Sequence, residues 1–172
     1  SSYLKSAEPR AIIVNSGNAN ACTGHAGMLH ARTMAIATAK SLGLKQQEVQ
    51  ICSTGIIGVP LPIERIEPKI GELAESLDGD CDPAAQAIMT SDTRPKSVAV
   101  TVKIGNKKVK IGAIAKGAGM INPHMATMLC FITTDAAVTK AELTAATREA
   151  VDQSFTRISV DGDMSTNDTV VV

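Results

Sequence analysis

Short apolar runs and a helical repeat alternate in the first part of the chain. Ala11–Asn15 and Val49–Ser53 are apolar runs that each lead into a turn-rich stretch, which is typical of buried strands. Residues 25–42 between them predict a helix that begins after Thr23 and ends at Gly43. The side chains expected to face inward are Leu29, Ile36, Ala39 and Leu42. Together these elements predict a strand–helix–strand unit.

The next segment, residues 62–77, has the most regular helical spacing in the chain. It starts with Pro62, a residue that suits the first turn of a helix. Apolar residues then recur at steps of three and four, at Ile63, Ile66, Ile70, Leu73 and Leu77. This spacing predicts one continuous amphipathic helix, and Pro83–Met89 predicts a second, shorter one.

Strand patterns dominate the following stretch. Apolar residues alternate with others along Val98–Ile104 and again along Val109–Ala113, with Gly105-Asn106 between the two runs. Two alternating runs joined by a tight glycine turn predict a β-hairpin. Thr127–Thr134 is a further strand-like run.

A capping box at Thr139–Glu142 predicts a helix that extends to about Gln153. The sequence has no internal repeat, linker or low-complexity segment. We therefore expect residues 1–172 to form one α/β domain.

Composition and charge narrow the functional classes. The 172 residues include 17 Lys and Arg against 17 Asp and Glu, and only three aromatic side chains. A neutral chain with so few aromatics is poorly suited to nucleic acid or to a membrane surface. No signal peptide or membrane span is visible. We expect the cytoplasm, or the mitochondrial matrix if the source is eukaryotic.

The cysteines and histidines do not form a metal-binding pattern. The four cysteines stand far apart without a CxxC motif, which favours buried free thiols over disulfides or a zinc site. His25 and His30 fall on different faces of the predicted helix. Asp161-Gly162-Asp163 lacks the glycine and the glutamate of a calcium loop, which favours loop carboxylates instead. We expect no metal.

Three stretches, Ala11–Ala31, Val49–Ile63 and Gly117–Thr134, contain no charged side chain. Each joins a strand-like run to residues rich in Gly, Asn, Ser or Thr. Loops without charge indicate backbone that contacts a ligand, or loops that pack against another part of the protein. Gly117-Ala118-Gly119 matches neither a dinucleotide fingerprint nor a P-loop, so it is interpreted as flexible or tightly turning backbone.

A threonine offers the best candidate for a nucleophile. The sequence has no Gly-x-Ser-x-Gly elbow and no Cys–His signature. A Thr or Ser can instead be activated by its own α-amino group, once the chain is cut before it. Ala126-Thr127 suits such a cut, because Ala126 is small and glycines precede it. The alternative is that Thr127 is only a strand residue.

Six blocks in a fixed order resemble the ornithine acetyltransferase (glutamate N-acetyltransferase) family of arginine biosynthesis. The resemblance extends over nearly the whole chain from Ala11 onward. The blocks are Asn15–Gly24, Ser53–Gly58, Ile88–Lys96, Ala115–Met120, Pro123–Leu129 and Asp161–Thr169. Ser91 and His124 depart from the residues most often expected there.

The resemblance implies a mechanism and a set of site residues. The precursor would cut itself between Ala126 and Thr127, and Thr127 would then carry the acetyl group from N-acetylornithine to glutamate. Thr54 and Gly55 match the oxyanion hole of the family. Thr90 and Lys116 match substrate-contacting positions.

The resemblance also implies an assembly and a size. The family fold is an α/β arrangement of layered sheets and helices, and the mature form is a heterotetramer of two cleaved chain pairs. No cofactor is implied, although acetyl-CoA is an open possibility as a co-substrate. Family members are longer, so we expect residues 1–172 to be a central piece of the enzyme that spans the cut. Two alternatives are a related self-cleaving amidase or aminopeptidase, and a non-catalytic fragment.

Overall fold

The computed structural model describes residues 8–122 and 128–172. Contacts within the chain group into two compact units, Ser1–Asp80 and Cys81–Val172, and each unit is described by itself. The expectation of one domain over residues 1–172 stays a prediction.

The first unit is built on a parallel pair of strands. Strand β1 (Ala11–Asn15) pairs with β2 (Val49–Ser53) in register along the length of both strands. Helix α1 (Gly24–Leu42) connects the two strands, so the predicted strand–helix–strand unit is confirmed. The buried core of this unit consists of Ile13, Met34, Ala35, Ala39, Val49, Leu61 and Ile70.

Helix α1 ends where the sequence predicted, but its buried face matches the prediction only in part. Gly43 has φ 65° and its amide N–H donates to the last-turn carbonyls of Ala39 and Lys40, as expected of a glycine that ends a helix. Of the four residues expected to face inward, Ala39 is buried and Leu42 is half-buried, whereas Leu29 and Ile36 are exposed. The other buried residues of the helix are Gly27, Met34, Ala35 and Thr38. Except for Met34 these are small, and small side chains let the helix lie close to the unit around it.

The segment predicted as one continuous helix is broken. The structure has α2 (Ile63–Ile66), a single 3₁₀ turn at Glu67–Lys69 and α3 (Ile70–Glu75). Pro68 lies in the turn, and proline supplies no amide N–H to continue the helical hydrogen bonds. Within the predicted apolar row Ile70 is buried, but Leu73 and Leu77 are exposed, so that part of the prediction is wrong.

The second unit contains a four-stranded sheet in sequence order. Strands β3 (Lys96–Ile104) and β4 (Lys107–Lys116) form the predicted antiparallel hairpin. Strand β5 (Leu129–Thr134) pairs antiparallel with β4, and β6 (Thr169–Val171) pairs parallel with β5. This register places Lys116, at the end of β4, opposite Leu129 at the start of β5.

Two helices flank these strands in sequence. Helix α4 (Asp82–Ala87) precedes β3, and α5 (Lys140–Gln153) follows β5. The predicted capping box is present at the start of α5. The Thr139 hydroxyl accepts from the amide of Glu142, and the Glu142 carboxylate accepts from the amide of Thr139 at 2.8 Å.

The cysteine prediction holds for half of the cysteines. Cys52 and Cys130 are buried and form no disulfide, whereas Cys22 and Cys81 are exposed. Burial raises the pKa of the Cys130 thiol. Across residues 8–122 and 128–172, none of the helices combines the length and apolar character needed to cross a membrane.

Candidate active site

Two of the uncharged stretches, Ala11–Ala31 and Val49–Ile63, are hydrogen-bonded to each other directly after strands β1 and β2. The amide N–H of Thr54 donates to the carbonyl of Asn15 at 3.1 Å, and that of Ile56 donates to Gly17 at 3.3 Å. In return Ala19 donates to the carbonyl of Ile56 at 2.9 Å. These bonds continue the parallel pairing beyond both strands, and they hold the two loops together through backbone groups alone.

Gly55 lies at the closest point between these loops. Its φ is +129°, a region that side chains other than hydrogen rarely allow. A Cβ added there would lie 2.2 Å from the carbonyl carbon of Gly17 and 2.5 Å from the amide nitrogen of Asn18. The neighbouring Thr54 is 1% exposed. Glycine is therefore required at position 55, and it fixes the local path of the predicted oxyanion-hole residues.

Amide side chains, which the sequence reasoning did not single out, brace the same loops. The backbone N–H of Asn20 donates to the Ser53 hydroxyl at 2.9 Å, and its side-chain Nδ2 donates to the carbonyl of Gly27 at 2.8 Å. The Thr23 hydroxyl donates to Asn20 Oδ1 at 2.7 Å. Thr23 precedes α1 as predicted, but its side chain bonds to Asn20 and makes no cap hydrogen bond to the helix. Asn20 thus ties the start of α1 to the end of β2 without any charge.

In the second unit, the side chains of Lys116 and Thr90, two of the predicted site residues, are in direct contact. Lys116 Nζ donates to the Thr90 hydroxyl at 2.7 Å, and Lys116 is only 2% exposed. Burial lowers the pKa of Lys116; the nearby Asp92 and Asp168 carboxylates oppose that shift, and Lys96 adds to it. A buried ammonium beside a hydroxyl can bind the carboxylate of a small substrate.

Asp92, which the sequence reasoning did not single out, contacts the backbone of Thr90 and of Gly117, the residue after Lys116. Its buried carboxylate accepts the amide N–H of Gly117 at 2.8 Å and that of Thr90 at 3.3 Å, and it forms an ion pair with Lys96. Burial pushes the pKa of Asp92 upward, but the hydrogen bonds from Lys96, Gly117 and Thr90 outweigh it, so the pKa lies below its ordinary value. Asp92 thereby fixes the backbone on both sides of the Lys116–Thr90 contact. The available signal was its position inside the Ile88–Lys96 block.

Two carboxylates of the Asp161–Thr169 block accept backbone amides, and for Asp161 this agrees with the loop-carboxylate interpretation. Asp161 accepts the N–H of Met120 at 2.7 Å and that of Ile121 at 2.9 Å. Asp168 accepts the N–H of Met128 at 2.9 Å. Burial raises the pKa of Asp168, while the Met128 N–H and the charge of Lys116 act in the opposite direction.

The predicted site residues divide between the described parts of the chain. Thr54 and Gly55 lie in the first unit, and Thr90 and Lys116 lie together in the second. The predicted nucleophile Thr127 and the preceding Ala126 lie outside the described residues. Gly117, the first residue of the Gly117-Ala118-Gly119 run, has φ 147°, which agrees with the predicted turning backbone. Convergence of the three uncharged stretches on one pocket stays a prediction.

Two solved structures share the fold. One is a crystal structure at 2.00 Å resolution of the arginine biosynthesis bifunctional protein ArgJ from Bacillus halodurans, with a TM-score of 0.59 and 38% identity over 67% of this chain and 61% of that one. The other is ornithine acetyltransferase from Mycobacterium tuberculosis, complexed with ornithine, with a TM-score of 0.59 and 34% identity over 71% and 66% of the two chains. The expected α/β fold of the ornithine acetyltransferase type is therefore confirmed for about two thirds of the chain.

Sequence relatives identify the family. The arginine biosynthesis bifunctional protein ArgJ of Symbiobacterium thermophilum is 54% identical over 167 residues, which is 96% of this chain and 41% of that protein. The glutamate N-acetyltransferase of Methanothermobacter thermautotrophicus is 51% identical over 94% of this chain and 41% of its own length. The pattern of the ArgJ family matches residues 1–172, and the chain belongs to the ArgJ family. It spans about two fifths of the length of these curated relatives.

Proposed function

We propose that the protein containing this chain is a glutamate N-acetyltransferase that transfers the acetyl group of N-acetylornithine to glutamate. The observation that carries the proposal is the buried Lys116–Thr90 contact, in which an ammonium donates to a hydroxyl directly before the uncharged stretch Gly117–Thr134. Membership of the ArgJ family and the names of the relatives support the same activity.

The first step is self-cleavage between Ala126 and Thr127. The Thr127 hydroxyl oxygen attacks the Ala126 carbonyl carbon, and an oxygen–carbon bond forms while the carbon–nitrogen bond breaks. The hydroxyl proton passes to the released nitrogen, which becomes the α-amine of Thr127. Water then hydrolyses the ester, which leaves a carboxylate on Ala126 and restores the Thr127 hydroxyl. The cut therefore creates an N-terminal nucleophile together with its own base.

The second step is acetyl transfer through Thr127. An α-amine with a pKa of about 8 is partly neutral near pH 7 and can take the hydroxyl proton as Thr127 attacks the acetyl carbonyl. Thr54 and Gly55 are proposed to stabilise the resulting oxyanion, a role for which backbone N–H and hydroxyl donors are suited. Ornithine leaves with the proton, and the glutamate amine then attacks the acetyl-Thr127 ester. The products are N-acetylglutamate and the free enzyme.

Lys116 and Thr90 are proposed to bind the substrate α-carboxylate. Both substrates are amino acids with an acylated or acylatable α-amine, so one carboxylate site serves both half-reactions. The buried ammonium of Lys116 gains a full counter-charge when such a carboxylate arrives, which offsets the cost of its burial. The expected loss on Lys116→Ala is in KM for both substrates.

The remaining features of the proposal concern the whole protein. No cofactor is required, because both the nucleophile and its base belong to the chain. Acetyl-CoA remains a candidate second acetyl donor, consistent with the word bifunctional in the names of the relatives. We further propose a heterotetramer of two cleaved chain pairs, working in the cytoplasm or the mitochondrial matrix.

The test uses the full-length protein and intact-mass spectrometry. We expect two chains, one of which begins at Thr127. Thr127→Ala should remain uncut and inactive, whereas Thr127→Ser, which keeps a hydroxyl, should still be cut. Incubation with N-acetylornithine and glutamate should yield N-acetylglutamate without matching free acetate. An active, uncut polypeptide would refute the cleavage, and stoichiometric acetate would identify a hydrolase instead.

A further inference from the structure

Two aspartates from the loop before β6 accept hydrogen bonds from backbone amides on both sides of the proposed cut. On the N-terminal side, Asp161 accepts the amides of Met120 and Ile121 at 2.7 and 2.9 Å. On the C-terminal side, Asp168 accepts the amide of Met128 at 2.9 Å. Met128 directly follows Thr127. Residues 161 and 168 thus hold the two ends of the stretch in which the scissile bond lies.

Backbone hydrogen bonds lie next to both of these carboxylate contacts. The amide N–H of Val160, next to Asp161, donates to the carbonyl of Ile121 at 2.8 Å. The amide of Thr169, next to Asp168, donates to the carbonyl of Met128 at 2.9 Å. Ile121 and Met128 are therefore each held by two hydrogen bonds. An aspartate carboxylate accepts the amide N–H of the residue, and a backbone N–H donates to its carbonyl.

Asp168 also lies within electrostatic reach of the predicted substrate site. Its carboxylate and the Lys116 ammonium stabilise each other, and Lys116 itself is bound to Thr90. Leu129, one residue beyond Met128, pairs with Lys116 across β5 and β4. Met128, whose amide Asp168 accepts, thus immediately precedes β5, the strand that pairs with the end of β4 at Lys116.

We propose that Asp161 and Asp168 are positioning residues for self-cleavage and for the mature nucleophile. They would hold the backbone of Met120 and Ile121 before the cut and of Met128 after it, so that loss of either carboxylate slows cleavage and acetyl transfer. This inference rests on the proposed cleavage at Ala126–Thr127. Neither aspartate takes part in bond making or breaking.

A rigid anchor matters because intramolecular attack depends on orientation. Holding reacting groups in the attacking geometry supplies a large part of the rate of such reactions, and a misplacement of about 1 Å can cost on the order of a hundredfold. Amide bonds to a charged acceptor are among the stronger hydrogen bonds in proteins. Loss of one anchor is therefore expected to slow cleavage by about 10- to 100-fold.

The experiment measures the first-order rate of cleavage in freshly purified full-length precursor by intact mass. Asp161→Ala and Asp168→Ala should slow the cut. Asp168→Asn should restore much of the rate, because its amide oxygen still accepts the Met128 N–H. Asp163→Ala is the matched control from the same loop, since Asp163 contributes its amide N–H to the cluster and its carboxylate is not the acceptor. Thermal unfolding of each precursor checks the fold.

The outcomes separate the two proposals. If the wild-type chain is never cut, the proposed cleavage fails. If the wild-type chain is cut and both alanine variants cut at the wild-type rate, the positioning role fails. Slowing that tracks a lowered melting temperature, or that Asp163→Ala shares in full, also overturns it. Slow cleavage at an unchanged melting temperature, with rescue by Asp168→Asn and a lowered kcat in the cleaved enzyme, supports it.

Discussion

Replacing Gly55 by alanine tests whether the contact between the two uncharged loops governs both stability and activity. The added Cβ would lie 2.2 Å from the Gly17 carbonyl carbon, far inside van der Waals contact, and the neighbouring atoms are backbone. A side chain cannot rotate away to relieve such an overlap. The loops must therefore separate, and Thr54 and its neighbours move with them.

The magnitude follows from two costs. Placing an alanine at φ +129° costs about 1–2 kcal/mol, because its Cβ disfavours a positive φ. Forcing a methyl group into a packed contact adds about 1–3 kcal/mol. The expected loss is thus about 2–5 kcal/mol of the free energy of unfolding, a large share of the roughly 5–15 kcal/mol that holds a typical domain folded. If Gly55 contributes to an oxyanion hole, kcat should also fall by about a hundredfold or more.

The assay compares Gly55→Ala with Gly58→Ala in the full-length protein. Gly58 is in the same loop and also has a positive φ, +81°, but no atom of the described residues lies within 4 Å of where its Cβ would stand. Gly58→Ala should therefore show only the conformational cost. Denaturant unfolding measures stability, and N-acetylglutamate formation measures kcat. Equal losses of stability and activity in the two variants would refute the reasoning.

The remaining predictions concern local features of the two units. In α1, Gly27→Ala should destabilise the protein, because the added Cβ would lie 1.9 Å from the Thr23 hydroxyl oxygen. In α3, Gly71→Ala has open space among the described residues and should stabilise the protein by about 0.5–1 kcal/mol in thermal melts. Asp92→Asn should lower stability at neutral pH and make stability less dependent on acid: the folded pKa of Asp92 is lowered, so its stabilising contribution is complete above about pH 4 and is lost as the pH falls through the folded pKa. Urea titrations of wild type and variant at pH 3 and 7 should therefore differ most at pH 7. Thr139→Ala should cost about 1 kcal/mol through loss of the α5 cap, and an unchanged midpoint of unfolding would contradict it.

The features that the sequence predicted correctly depend on neighbours along the chain. The capping box at Thr139 spans four residues, the β3–β4 hairpin follows from alternation around Gly105-Asn106, and Gly43 ends α1 through its own backbone conformation. In each case the residues that decide the structure lie close together in sequence. Local propensity and periodicity are then sufficient.

The errors arose where the packing partner was unknown. Of the four residues predicted to face inward in α1, Leu29 and Ile36 are exposed, and most of the residues buried in their place are small and allow close approach. Periodicity also favoured one helix over residues 62–77, although Pro68 lies in the turn that interrupts it. Apolar spacing indicates which faces are available for burial, and the neighbouring elements decide which one is used.

The strand–helix–strand unit, the hairpin, the family resemblance and a short set of candidate residues including Lys116 and Gly55 could all be predicted from the sequence. What those residues contact depends on how distant parts of the chain pack. The roles of Asp92, Asp161 and Asp168 depend on hydrogen bonds to backbone amides 25 to 41 residues away. No local pattern encodes such a bond, because the path of the intervening chain sets which amide reaches the carboxylate.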